Sequence, residues 1–165
     1  WPISLRNHLA PVFSELKIDM VLSGHDHCYD RSYIMNGTSP VKSDKDYAYN
    51  TDGGVLYISA TTASGMKFNP AVENAKTYSA KLVENEYGFV KYDVCDAKIT
   101  LTYYSSEDLS ILDKFTLYKV NITHLADLRR QLLTDDIDES VDYNEDGKIN
   151  ALDIVRLKKI LVNAA

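Results

Sequence analysis

The chain has 165 residues, 45% of them hydrophobic and 25% charged, with a formal net charge of −6 at pH 7. That length supports one ordinary globular core plus a small appendage. The mildly acidic balance, without a basic run, argues against nucleic acid or an anionic membrane as partner, and the apolar stretches are far too short to span a bilayer. Trp1 and Pro2 open the sequence without an initiator Met or a basic-then-apolar signal segment, so it reads as starting inside a longer protein or after processing. Cys28 and Cys95 lie far apart and make neither a disulfide framework nor a metal-spaced cluster.

From about Ser4 to Leu16, the residues Leu5, Leu9, Val12, Phe13 and Leu16 recur at helical spacing, with Pro11 predicting a kink or restart. Ile18–Leu22 reads as a buried strand ending at Ser23-Gly24. Helix, strand and polar turn in that order are the grammar of an α/β sheet with functional loops at the carboxyl ends of strands. The polar stretch Asn36–Gly54 reads as a long loop, and Val55–Ala60 as a second buried strand before the small-residue turn Thr61–Gly65. Lys67–Glu86 is ambiguous. Three strands follow, Gly88–Val94, Lys98–Ser105 and Ile111–Tyr118, separated by hairpin-like breaks, and they are expected to close one edge of a sandwich.

After Tyr118 the character turns helical, which places a domain boundary between residues 118 and 119. The segment 119–165 holds an internal repeat. Lys119-Val120-Asn121 followed by Leu125, Leu128-Arg129-Arg130 and Leu132 matches Lys148-Ile149-Asn150 followed by Ile154, Leu157-Lys158-Lys159 and Leu161, at a constant offset of 29 residues.

Gly24-His25-Asp26-His27 directly follows a predicted strand. Histidine is the commonest side-chain metal ligand, through a neutral ring nitrogen. In an extended loop alternate side chains leave on one side, so His25 and His27 are expected to converge, with Gly24 letting the backbone turn beneath them. The bland alternative is a pair of surface histidines. Ile18–Ser32, with Gly24-His25-Asp26-His27 followed by Tyr29, Arg31 and Ser32, resembles the calcineurin-like metallophosphoesterases, and most closely their purple acid phosphatase branch. The helix carrying Arg6, Leu9, Pro11 and Phe13 and the strand Leu112–Leu117 extend the resemblance over about Trp1 to Lys119. It implies the C-terminal part of an α/β (α+β) metallophosphoesterase sandwich with flanking helices. It also implies a dinuclear site of Fe, Zn or Mn in which His25 and His27 are catalytic metal ligands, hydrolysing a phosphate ester with a metal-bound hydroxide. Tyr29 and Arg31 are candidates to contact phosphate, Arg31 through its bidentate fork, although a structural salt bridge is an equal alternative for it. The family's other ligand-bearing turns do not occur in this sequence, and two histidines alone do not hold two bridged metals. The chain by itself is therefore expected to be inactive.

Asp142 to Asp153 fits a twelve-position calcium loop. Asp142, Asn144 and Asp146 supply oxygens at positions one, three and five, and Gly147 allows the turn at six. The Lys148 carbonyl, Asn150 and Asp153 follow at seven, nine and twelve. The alternative is an acidic turn capping the helix Ala151–Val162. The aspartate at position twelve, the helix end Leu157–Leu161 and the duplicated unit resemble a dockerin, a small helical EF-hand-like module that anchors secreted enzymes to the cohesin modules of a scaffold. The first repeat has Phe115, Leu117 and His124 where oxygens belong, so a single Ca2+ is expected. Arg129, Arg130, Lys158 and Lys159 are the expected partner contacts, with a solvated helix face as the alternative. The combined reading is an extracellular, scaffold-attached phosphoesterase. Its alternatives are a calcium-dependent binding module and a calcium-stabilised structural cap.

Overall fold

A computed structural model of the protein describes residues 3–163 except 44, 50–53, 64, 66, 74–76 and 135. Parts of the expected loop, at 44 and 50–53, of the turn, at 64, and of the ambiguous stretch, at 74–76, lie outside the described residues. The elements are α1 (Ile3–Glu15), β1 (Met20–Ser23), β2 (Tyr29–Ser32), β3 (Ile34–Asn36), β4 (Ser39–Val41), β5 (Tyr47–Tyr49), β6 (Leu56–Ser59), β7 (Ser79–Val83), β8 (Gly88–Val94), β9 (Lys98–Ser105), β10 (Ile111–Tyr118), α2 (Ile122–Thr134) and α3 (Ala151–Asn163).

Two four-stranded sheets face each other. The first has the order β1-β6-β2-β7 and the second β5-β10-β9-β8, while β3 and β4 form a separate hairpin. β1 and β6 run parallel, so their carboxyl ends lie at one edge of the first sheet. Strand alternation decides the core. Tyr29 from β2 and Leu56 and Ile58 from β6 meet Leu101 and Tyr103 from β9 and Phe115 and Leu117 from β10, all nearly or fully buried. Gly88 sits where a β-carbon would collide with the Tyr103 ring and the Tyr104 carbonyl, so β8 lies against β9 only because this residue has no side chain.

β8, β9 and β10 have the bounds read from the sequence and pair antiparallel in order. Other expectations change. The helix runs through Pro11 as one element. β1 is an edge strand with Leu22 59% exposed, not a buried one, because nothing in the described residues pairs with its outer side. The expected loop from Asn36 onward contains the β3–β4 hairpin, turning at Gly37-Thr38, and also β5, which pairs in parallel with β10.

The segment after Tyr118 packs onto the second sheet. A second core joins Ala97 and Tyr118 from that sheet's end to Val120, Leu125 and Leu128, and to Val141, Tyr143, Leu157 and Ile160. α2 begins at a cap in which Asn121 Oδ1 accepts the Thr123 N–H at 2.8 Å.

Candidate functional site

The His25–Cys28 loop joins the end of β1 to the start of β2, at the carboxyl edge of the parallel pair. His25 is exposed and left-handed, with φ +83°, whereas Gly24 is not. The sharp turn expected at the glycine therefore falls on the histidine. Non-glycine residues in this region carry a backbone cost of about 1 kcal/mol or more, and such strain gathers at functional loops. His27 is half-buried, with Nδ1 2.6 Å from the Lys67 carbonyl oxygen. A carbonyl only accepts, so Nδ1 carries the proton, and in the neutral ring Nε2 is left with its lone pair free. That is the arrangement by which a backbone carbonyl orients a metal-binding imidazole. Among the described residues no group of three or more His, Cys, Asp or Glu side chains is placed to hold a metal ion.

Tyr29 and Arg31, the candidate phosphate contacts, point into the sandwich. The Tyr29 hydroxyl donates to Asp113 Oδ2 at 2.7 Å, Arg31 Nε donates to the same oxygen at 2.7 Å, and a terminal guanidinium nitrogen donates to Asp113 Oδ1 at 3.2 Å. The guanidinium lies over the Phe115 ring at 4.4 Å, and the Tyr29 ring stacks on Tyr103 with centroids 4.1 Å apart. This is the structural salt bridge weighed for Arg31. Burial, reinforced by the Asp113 carboxylate, drives the Tyr29 phenol far above its ordinary pKa, so it remains a donor.

Cys28, beside the histidines, is buried, and desolvation with the Asp30, Asp26 and Glu84 charges pushes its pKa up to about 11. Burial and these charges keep the thiol protonated near neutral pH, which argues against a nucleophilic role. Iodoacetamide at pH 8 is expected to leave Cys28 unmodified in the folded protein and to label it once urea is added. Equal labelling rates in both conditions would contradict this burial.

Beneath α1, on the outer face of the first sheet, lies a cavity of about 280 Å³ lined by Arg6, Ala10, Ser23, Asp26, Asp30 and Ser59 among others. Buried Arg6 Nε, Asp30 Oδ1 and Ser59 Oγ make no hydrogen bond there. Burial raises the Asp30 pKa, against the opposing hydrogen bond from Ser79. A carboxyl group whose folded pKa exceeds its unfolded one favours folding below the unfolded value and loses that contribution as pH rises through the folded value. Asp30→Asn is therefore expected to raise the melting temperature at pH 7, with the gain shrinking as pH falls into the carboxylate range. A gain independent of pH would exclude the charge as its cause.

In the Asp142–Asp153 segment, Asp142 Oδ2 accepts the Gly147 N–H, Asn144 Oδ1 that of Asp146, and Asp146 Oδ1 that of Lys148. Gly147 is left-handed at φ +76°, as position six of a calcium loop requires. Asp153 is fully buried. Its Oδ1 accepts from the Tyr143 and Asn144 amides at 2.9 and 3.1 Å, and its Oδ2 from the Asn150 amide at 2.9 Å. Asn150 Oδ1 accepts from Leu152, so Asn150 and Asp153 also form a reciprocal cap on α3. Asn150 Nδ2 reaches the Lys148 carbonyl at 3.5 Å. Asp142 Oδ1 is buried with no partner. Arg129, Arg130, Lys158 and Lys159 are exposed, and Arg130 reaches Asp127 at 3.5 Å.

The architecture is that of the C-terminal part of a purple acid phosphatase fold. The structure of purple acid phosphatase PPD1 from yellow lupin seeds superposes with a TM-score of 0.53 at 22% identity, over 67% of this chain and 19% of that one. In sequence, the chain is similar to an uncharacterized protein of Mycobacterium tuberculosis, at 26% identity over 71% of this chain and 31% of that protein. It is also similar to the probable inactive purple acid phosphatase 24 of Arabidopsis thaliana, at 24% identity over 68% of this chain and 18% of the other. The nucleotide pyrophosphatase/phosphodiesterase of Hordeum vulgare shares 23% identity over 69% of this chain and 31% of its own length. The chain thus spans about a third or less of these curated relatives. No family model matches it. Among the described residues no helix is long and apolar enough to cross a membrane.

Proposed function

We propose that this chain supplies the two-histidine loop of a dinuclear metal-dependent phosphoesterase, and that residues 119–165 are a calcium-binding, dockerin-like segment of the same extracellular protein. The observation carrying the first part is His27, whose Nδ1–H is spent on the Lys67 carbonyl, which leaves the Nε2 lone pair available to a metal. The similarity to a phosphodiesterase and to purple acid phosphatases supports the reaction class. His25 and His27 fit as nitrogen donors for the two metals (Fe, Zn or Mn), and the rest of the donor set comes from sequence outside this chain. When bound, such metals polarise a phosphoryl oxygen and lower the pKa of a bound water. The chain's own task is to orient its imidazoles: His25 through its left-handed backbone, His27 through its carbonyl partner.

For the second part, the supporting observation is Asp142 Oδ1, a carboxylate oxygen buried without a partner inside a loop whose other oxygens are already ordered by backbone amides. Asp142, Asn144, Asp146, the Lys148 carbonyl, Asn150 and Asp153 would hold the calcium. A scaffold-docking role is favoured by one further observation, the exposure of the duplicated basic pairs Arg129-Arg130 and Lys158-Lys159. Hydrolysis of p-nitrophenyl phosphate by the complete gene product tests the enzymatic reading. Turnover that a transition-metal chelator abolishes supports it, and no turnover with any of iron, zinc or manganese overturns it.

A further inference from the structure

The twelve-residue loop divides its residues by position. Positions one, three and five carry the oxygens described above, while the intervening groups turn toward the second sheet. Tyr143, at position two, is 1% exposed and packs in the core shared with Ala97 and Tyr118 of the sheet. Glu145, at position four, pairs with Lys114 of β10 at 2.7 Å. Asp142 is held on two sides, for its main-chain carbonyl accepts from Lys98 Nζ at the start of β9 at 3.0 Å. From α3, Arg156 lies 5.1 Å over the Tyr47 ring of β5.

We infer that this loop is a latch: cation binding at Asp142–Asp153 and seating of the α2–α3 helix pair on the β5-β10-β9-β8 sheet are one coupled equilibrium. The inference rests on the calcium reading of the loop. Without a cation, Asp142, Asp146 and Asp153 are like charges within one short loop and repel, loosening the backbone that positions Tyr143 and Glu145 against the sheet. With a cation, positions one, three and five are drawn together, and positions two and four are fixed as a consequence. Coupling is reciprocal by thermodynamic necessity, so a change on the sheet that weakens seating must weaken cation binding although it touches no ligand. Tyr118 is the place to make it, because it is uncharged, outside the loop and 3% exposed in the shared core. Removing Lys98 or Lys114 would also change the field at the loop and so confound the result.

The experiment is calcium titration of the full chain by calorimetry, for the native sequence and for Tyr118→Ala, with amide hydrogen exchange of the native chain with and without calcium. If the two are coupled, affinity falls about tenfold in Tyr118→Ala, and calcium slows exchange in β9 and β10 as well as in the loop. Equal affinities, with slowing confined to residues 119–163, overturn the coupling and leave the calcium loop standing. Absence of calcium binding by the native chain overturns the calcium reading and the latch together. Should Tyr118→Ala fail to fold, the exchange pattern of the native chain decides alone.

Discussion

Replacing Asp113 by alanine is expected to destabilise the fold by about 3–5 kcal/mol. Asp113 lies in β10 of the second sheet, while its partners Tyr29 and Arg31 lie in β2 of the first, so this carboxylate ties the two layers of the sandwich. Both side chains of the ion pair are nearly buried, at 8% and 7% exposure. Removing the anion leaves a guanidinium and a phenol facing each other in a closed core, and the cost is dominated by that uncompensated charge. Tyr29→Phe, which keeps the ion pair and the stack on Tyr103, is expected to cost only about 0.5–1.5 kcal/mol. Urea denaturation distinguishes the two, with a falling midpoint and an unchanged slope in each case. A loss below about 1 kcal/mol in Asp113→Ala would mean that the layers are held by apolar contacts alone.

Asparagine at His25 or His27 in the complete gene product is expected to lower phosphate-ester turnover by more than about 100-fold. Loss of a partner that merely orients a metal ligand already costs about 10–100-fold, and here the ligand itself goes. Asparagine is the right replacement at His25, since it tolerates the left-handed backbone that the histidine adopts at φ +83° and so removes the imidazole without adding strain. Melting temperature is expected to stay unchanged in His25→Asn, because that side chain is exposed. Turnover within about twofold of the native enzyme would remove the histidines from the catalytic centre.

What was legible in the sequence follows the strength of the local pattern. β8, β9 and β10 alternate cleanly and are bounded by turn residues, so their limits were readable to the residue. β3 and β4 are three residues each, and their Gly37-Thr38 turn lies inside a polar stretch that reads as loop throughout. β5 is a short strand whose pairing partner, β10, lies far along the chain, and no local pattern announces a parallel pairing of that separation. At the candidate site, the His-x-His motif is visible because its two histidines are neighbours. The salt bridge of Arg31 is one of two readings its sequence offers, but its partner is not legible, because Asp113 is 82 residues away and any acidic residue could serve. The loop at Asp142 showed its oxygens by spacing. Its attachment to the sheet through Lys98, Lys114 and Tyr143 depends on tertiary placement.

The role of the two histidines as metal ligands is decided by metal analysis of the complete gene product, native and with both His25→Asn and His27→Asn. Two transition-metal ions and one calcium per native chain are expected, with the double variant losing transition metal and keeping its calcium. Unchanged transition-metal content in that variant would contradict the assignment of these histidines as ligands.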